Sequence, residues 1–339
     1  MAYFFKNLVF EGGGVKGIAY VGALEVLQEE KIYPKIKRVA GTSVGAIVAV
    51  LVGLGYTPSE IKSIMWDLNF KNFLDDSWGI IRDSKRLIEE YGWYKGDFFR
   101  KWIGSFIKAK TGNSETTFAD LAARKGDHSF LNLFLIGTNL STGYVEIFSA
   151  EHTPRFCIAD AARISMSIPL FFAAKRSMRG DLYVDGAVVD NYPIKVFDRT
   201  KYVAKNFTRT SYYEPTNKKL AKKNRKIAEY VYNKETLGFR LDSKEEIAMF
   251  RDNAEPPIRQ IDSFFDYTVA LFDTLISAQN SAHLHSDDWQ RTIYIDTLGV
   301  GATDFSITEA KKKALLESGR AYTKSYFEWY NNEEAKSNK

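Results

Sequence analysis

The stretch Gly41-Thr42-Ser43-Val44-Gly45 sets a serine hydroxyl between two glycines, where a strand-like run passes into a run that is apolar on every side. A nucleophile elbow needs this arrangement. Small flanking residues allow a sharp strand-to-helix turn that lifts the serine oxygen above the sheet, and the helix N-terminus adds its dipole. The chemistry on offer is nucleophilic attack by Ser43, which requires a base. Two sources exist in the chain. Asp185, in Asp185-Gly186-Ala187 at the end of a strand pattern, can take the proton directly if it is held within hydrogen-bond reach, and Gly186 lets the backbone turn away from it. The other source is histidine: His283 or His285, far downstream beside Ser286-Asp287-Asp288, would complete a Ser-Asp-His order.

A second glycine cluster, Glu11-Gly12-Gly13-Gly14-Val15-Lys16-Gly17, follows the first strand pattern and opens the first helix. Backbone N–H groups in such a loop point at an anion. Gly12, Gly14 and Gly17 satisfy a dinucleotide fingerprint, which also demands an acidic residue at the end of the next strand. Gly41-Thr42-Ser43 occupies that place instead, so the anion expected is the oxyanion of an intermediate at Ser43, held by Gly12, Gly13 and Gly14. Gly13 is expected to need an unusual backbone dihedral.

These residues require particular elements beneath them. Asn7 to Glu11 and Ile36 to Ala40 read as buried strands, Gly17 to Glu30 as an amphipathic helix and Ala46 to Leu54 as a buried one. Thr57-Pro58-Ser59-Glu60 is a capping box that starts a surface helix. Phe130 to Thr138 and Tyr144 to Phe148 read as strands joined by a turn, and Asp181 to Val184 as another. Alternating strand and helix implies a parallel sheet covered on both faces. Beyond about residue 200 the pattern is mostly helical, with Ile261 to Ala282 and Ser306 to Tyr330 as long helices.

The composition is that of a globular protein: 339 residues, 45% hydrophobic and 26% charged. One cysteine, Cys157, excludes an intrachain disulfide and a cysteine zinc site, and four histidines (His128, His152, His283, His285) leave little for any other metal. No cofactor is expected. Lys6 and Glu11 interrupt the N-terminal apolar run, against a cleaved signal peptide. The uncharged stretch from Val39 to Tyr56 is long enough for a membrane span but contains Gly41, Gly45, Gly53 and Gly55, and reads as strand, turn and helix.

The GGGxKG loop, the GTSVG elbow and the DGA turn together resemble the patatin-like phospholipase family over roughly Asn7 to Asp198, with Asp190-Asn191-Tyr192-Pro193 looking like the family's continuation. The resemblance implies a three-layer α/β/α sandwich around a mostly parallel sheet. It implies a catalytic domain over 1–200, with 201–339 a basic segment and largely helical extension packed on it. By the same resemblance Ser43 is the nucleophile, Asp185 the base without histidine, and Gly12 to Gly14 the oxyanion hole, with Lys16, Gly17, Gly41, Gly45 and Gly186 supporting them. Ala187 departs from the pattern, standing where many relatives have a second glycine. The implied activity is metal-free hydrolysis of glycerolipid esters, of phospholipase A or lysophospholipase type. Its rivals are a histidine-dependent α/β-hydrolase and an inactive lipid-binding protein.

Two further segments bear on lipid access. Residues 66–106 hold four of the six tryptophans, and read either as core or as an aromatic lid. Residues 201–240 carry 11 Lys+Arg against 3 Asp+Glu in a chain of net charge +5. Within them Lys218, Lys219, Lys222 and Lys223 are expected either to be solvated or to meet an anionic membrane surface. Nucleic acid is not expected, since no binding motif accompanies the cluster. The expected location is the cytoplasm, peripheral at membranes, with export lacking a cleaved signal as the other route.

Overall fold

Two short apolar runs start the sheet. β1 (Asn7–Phe10) and β2 (Arg38–Thr42) are parallel neighbours, with Val9 level with Ala40 and Phe10 with Gly41. Parallel neighbours need a crossover; α1 (Ala19–Glu29) provides it, burying Val21, Leu24 and Leu27. β2 runs into α2 (Val44–Gly53), buried along its whole length as its all-apolar sequence requires. The capping box at Thr57 and Glu60 opens α3 (Pro58–Asp67). The computed structural model describes residues 3–73, 87, 89–124, 130–177, 179–222, 228–244, 246, 260–284 and 287–332.

A short strand β3 (Gly92–Tyr94), α4 (Asp97–Thr111) and α5 (Phe118–Ala123) lead to β4 (Asn132–Asn139), parallel to β2, and to β5 (Tyr144–Ser149), antiparallel to β4. After α6 (Ile158–Ser165) come β6 (Leu170–Phe172), which pairs with β3, then β7 (Lys175–Arg176) and β8 (Leu182–Asp185). The register around β4 positions the site. Phe134 to Ile136 pair with both β2 and β5, and Gly137 to Asn139 with both β5 and β8. A strand has two edges, so β2 and β8 share one edge of β4, meeting end to end where Thr42 pairs with Ile136 and Asp185 with Gly137.

The far side of the sheet is built from the C-terminal region. Beyond β9 (Phe207–Thr208), α7 (Glu214–Lys222) and β10 (Tyr232–Asn233), β11 (Thr236–Asp242) lies parallel beside β1 and β12 (Thr292–Asp296) beside β11. These two strands are not foreseen by the mostly helical reading of that region. β11 carries Arg240 and Asp242 fully buried as an ion pair, which breaks the apolar run expected of an interior parallel strand. The two long helices do form, as α8 (Phe264–Leu284) and α9 (Glu309–Asn331). The result is a mostly parallel central sheet with flanking helices.

The larger core joins α1, α2 and α9 to one face of the sheet. On the other face Tyr192, Ile194, Phe197 and Tyr202 close over Val9, Ala40 and Phe134. In the described part of the aromatic segment Phe70, Phe73 and Phe99 are buried, and Phe73 meets Phe70, Phe99 and Trp102 edge-on, whereas Tyr91 and Phe98 are exposed. Trp78 lies outside the described residues. Among the described residues no helix is long and apolar enough to cross a membrane.

Candidate active site

Ser43 caps the junction of β2 and α2 with φ 54° and ψ −126°, a backbone conformation that a non-glycine residue adopts only when its surroundings enforce it. The flanking glycines make the enforcement possible. A Cβ at Gly41 would stand 2.1 Å from the Gly45 carbonyl oxygen, and one at Gly45 would stand 2.4 Å from that of Phe10. The Ser43 N–H donates to Ser165 Oγ at 3.0 Å, and its hydroxyl lies 3.7 Å from Met166 Sδ.

Asp185 reaches this place because β8 ends where β2 ends. Its carboxylate is fully buried; Oδ1 accepts the Ala187 N–H at 2.8 Å, while Oδ2 has no hydrogen-bond partner among the described residues. Burial pushes its pKa up to about 7, against the opposing pull of the Ala187 N–H and the nearby Ser43. Gly186 lies against the Ile136 carbonyl, with 2.5 Å between that oxygen and the place of a Cβ. Ala187 in place of the second glycine does not disturb the turn, since the contact it supplies is its backbone N–H.

The glycine loop differs from expectation at two positions. The Gly12 N–H donates to the Asn191 carbonyl at 3.1 Å, so it is occupied rather than offered to a ligand. Gly13 has an extended φ of 173°, open to any residue, and the left-handed conformation falls on Gly14, at φ +56°. Gly13 and Gly14 both line the cavity over Ser43, and no partner for their N–H groups is found among the described residues. Gly17 packs on Val44 beside the elbow, and the Lys16 ammonium donates to the Leu241 carbonyl at 3.3 Å, tying the loop to β11.

Behind the loop sits a buried charge cluster. Glu11 accepts the Leu241 N–H at 2.7 Å and the Asn191 side-chain amide at 3.2 Å, with Arg240 Nε 3.7 Å away. Burial pushes the Glu11 pKa up to about 7, opposed chiefly by Arg240. The cluster anchors Glu11, Asn191 and β11 to one another, and so fixes the base of the glycine loop.

Among the described residues, the helix over Ser43 is α8. Thr268, Phe272 and Ile276 line the cavity together with Phe171 and Ala302, leaving free space of about 20 Å³, room for one or two waters. From α8 the Gln279 side chain accepts the Asn191 N–H at 2.9 Å and donates to the carbonyls of Ala187 at 2.8 Å and Val188 at 3.1 Å. One amide thus joins the turn after Asp185 to the segment that holds Gly12. No local pattern in the sequence distinguishes this glutamine.

The other candidates lie apart. His283 falls in the last turn of α8, and its side chain, together with His128, His285 and Lys223, lies outside what is described. His152 is engaged by Ser149 Oγ at 2.8 Å, and no described histidine contacts Ser43. Lys218, Lys219 and Lys222 are exposed on α7, with Lys218 paired to Glu214 at 3.2 Å.

Comparison with known proteins now bears on these residues. The chain is 32% identical over 331 residues to the protein YqhO of Bacillus subtilis (strain 168), covering 94% of this chain and 96% of YqhO. It is 28% identical over 206 residues to the cGAMP-activated phospholipase of Escherichia coli (strain TW11681), spanning 56% of this chain and about half, 53%, of that protein. Among solved structures, VipD from Legionella pneumophila has the same fold, with a TM-score of 0.59 at 18% identity over 97% of this chain and 68% of VipD. The family model for patatin-like phospholipases matches residues 8–198, a span that holds the glycine loop, the elbow and Asp185. A match running from within β1 to Asp198, over more than half of the chain, makes this protein a member of the patatin-like phospholipase family.

Proposed function

We propose that the protein is a lipid acyl hydrolase of phospholipase A or lysophospholipase type, working through a Ser43–Asp185 dyad and an acyl-enzyme. The observation that carries this reading is the strained elbow at Ser43 beside a buried carboxylate whose Oδ2 has no hydrogen-bond partner among the described residues. Asp185 takes the Ser43 proton as Oγ attacks the ester carbonyl. The Gly13 and Gly14 N–H groups receive the developing oxyanion in a site largely shut off from water, where each donor counts for more than it would in solution. Asp185 then protonates the leaving alcohol, and water activated by the same carboxylate releases the fatty acid. With its pKa near 7, Asp185 is a suitably poised base: activity rises as pH passes through about 7 and the carboxylate deprotonates. A cavity of about 20 Å³ cannot take an acyl chain, so binding one requires the lining, which includes Phe171, Phe272 and Ile276, to open.

Ser43→Ala and Asp185→Asn each abolish nearly all hydrolysis of phospholipid and of a soluble short-chain ester, and a fluorophosphonate labels Ser43 in the wild type. Turnover near wild type in either variant overturns the dyad, and the double variant is little worse than either single one. The exposed lysines of α7 serve this activity by holding the enzyme at an anionic, cytoplasm-facing membrane surface. Replacing Lys218, Lys219, Lys222 and Lys223 with Gln then weakens sedimentation with anionic vesicles and leaves short-chain ester hydrolysis unchanged.

A further inference from the structure

Two side-chain oxygens near Ser43 are buried with no hydrogen-bond donor among the described residues: Asp185 Oδ2 and Asn191 Oδ1. Folded proteins seldom bury an acceptor in this way, and each case calls for a cause: strain, a catalytic role, or a bound water or ion. Asp185 Oδ2 already has a use, as the seat of the serine proton. Asn191 Oδ1 has none in the steps given so far.

The Asn191 amide is oriented from behind. Its Nδ2 donates to Glu11 Oε1 at 3.2 Å, and a flipped amide would set oxygen against that carboxylate. Its main chain is clamped as well, accepting the Gly12 N–H at 3.1 Å and donating to Gln279 Oε1 at 2.9 Å. Oδ1 therefore faces the site. The position of a Cβ on Gly12 would be 2.4 Å from Oδ1 and 3.0 Å from Ser43 Cβ, which puts the orphan oxygen beside the nucleophile. Asn191 and Ser43 line the same cavity, whose size suits a water. Water brings two O–H groups, and Asn191 is the residue of the cavity lining that carries a buried acceptor the dyad does not use.

We infer that Asn191 is a catalytic residue of the second half-reaction: its Oδ1 and Asp185 Oδ2 together hold the water that hydrolyses the acyl-enzyme. The inference rests on the acyl-enzyme proposed above. The water oxygen bonds to the acyl carbonyl carbon, one water proton passes to Asp185, and the carbonyl electrons move to the oxyanion facing Gly13 and Gly14. Collapse breaks the bond from that carbon to Ser43 Oγ, which recovers the proton from Asp185, and the fatty acid leaves. The second O–H of the attacking water stays on Asn191 Oδ1 throughout. In acylation the nucleophile is Ser43 itself and no water is held, so Asn191 acts chiefly after the alcohol has gone.

The test separates the two half-reactions with p-nitrophenyl butyrate. In Asn191→Ala, steady-state turnover falls ten- to a hundredfold, while the p-nitrophenol burst and fluorophosphonate labelling of Ser43 stay within about threefold of wild type. A butyryl adduct on Ser43 then accumulates in intact-protein mass spectra. Asn191→Ser is run beside it, and whichever variant keeps the wild-type melting transition decides. Burst and turnover falling in parallel with no adduct, or turnover left unchanged, overturns the role. A wild type that shows neither burst nor labelling overturns the acyl-enzyme itself, a different failure from that of Asn191.

Discussion

Asp185→Asn should stabilise the protein while silencing it, by an amount that depends on pH. The Asp185 carboxyl is buried, with one oxygen on the Ala187 N–H and the other without a partner among the described residues, and burial pushes its pKa up to about 7 from an ordinary 3.8. The folded state thus holds this proton more tightly than the unfolded chain does. Stability from this group is fully present below about pH 4, drains away as pH rises, and is gone above about 7. At ~1.4 kcal/mol per pH unit, a rise from 3.8 to about 7 sets a ceiling of about 4 kcal/mol on what the ionised carboxylate costs the fold at pH 8. Asparagine keeps the acceptor for the Ala187 N–H but sets a donor where Oδ2 was, and an unpartnered buried amide gives back about 1–3 kcal/mol. The net gain at pH 8 is therefore about 1–3 kcal/mol. For a chain of 339 residues each kcal/mol moves the melting temperature by roughly 1–2 °C. Calorimetric melting of both proteins from pH 4.5 to 8.5 should show a difference near zero or slightly negative at the acid end, growing through pH 6 to a plateau above 7. A difference that stays flat across that range would refute the account of Asp185 as a carboxyl held near 7 by burial.

Other consequences concern the frame around the dyad. Gly14→Ala places a Cβ 1.9 Å from the Ala302 carbonyl oxygen on a residue at φ +56°, and should cut kcat by ~10²–10³. Gly13→Ala meets only side chains, the Leu241 tip at 2.8 Å and Lys16 Cε at 3.3 Å, and should lose no more than about tenfold, so equal losses would show that backbone strain at Gly14 is not the cause. Gln279→Ala strands the Ala187 and Val188 carbonyls and the Asn191 N–H, and should lower kcat about tenfold at nearly unchanged KM for a short-chain ester. An unchanged kcat would remove Gln279 from the positioning of Asp185. A fragment ending at residue 200 should show no cooperative thermal transition, because β1 becomes an open edge and Glu11 and Asp198 lose Arg240 and Arg291; a sharp melting curve for it would count against that dependence.

What could be read from the sequence is what depends on neighbours along the chain. The capping box at Thr57, the buried helix after Ser43 and the small residues of the elbow each obey a local rule, and each forms. Asp185 is different: an Asp-Gly pair is ordinary turn chemistry, and only a family likeness singles it out. What brings it to Ser43 is that β2 and β8 meet on one edge of β4, which no window of sequence contains. Gly12 goes astray for the same reason, since the carbonyl that takes its N–H belongs to Asn191. The aromatic segment shows the limit of composition, because rings at helical spacing serve a core as well as a lid. The helix that covers Ser43 has an unremarkable pattern and one decisive glutamine.

The two strands that the mostly helical reading of the C-terminal region leaves out follow from the site's own needs. β11 must offer Leu241 N–H and Arg240 to Glu11, so it carries buried charge where an interior strand would be apolar. Arg240 in turn needs Asp242, and burial raises the pKa of the Asp242 carboxyl while Arg240 pulls it down. Removing either partner would leave a buried charge alone, the expensive case for a buried ion pair. A second such knot binds Asp198, where the family match ends, to Arg291 through two hydrogen bonds of 2.6 and 2.8 Å. The residues of the proposed site lie before Asp198, and Arg240 and Arg291, which pair with Glu11 and Asp198, come from beyond it. The polar groups that hide β11 from a reading of hydrophobic pattern are the ones that fix the glycine loop beneath the substrate.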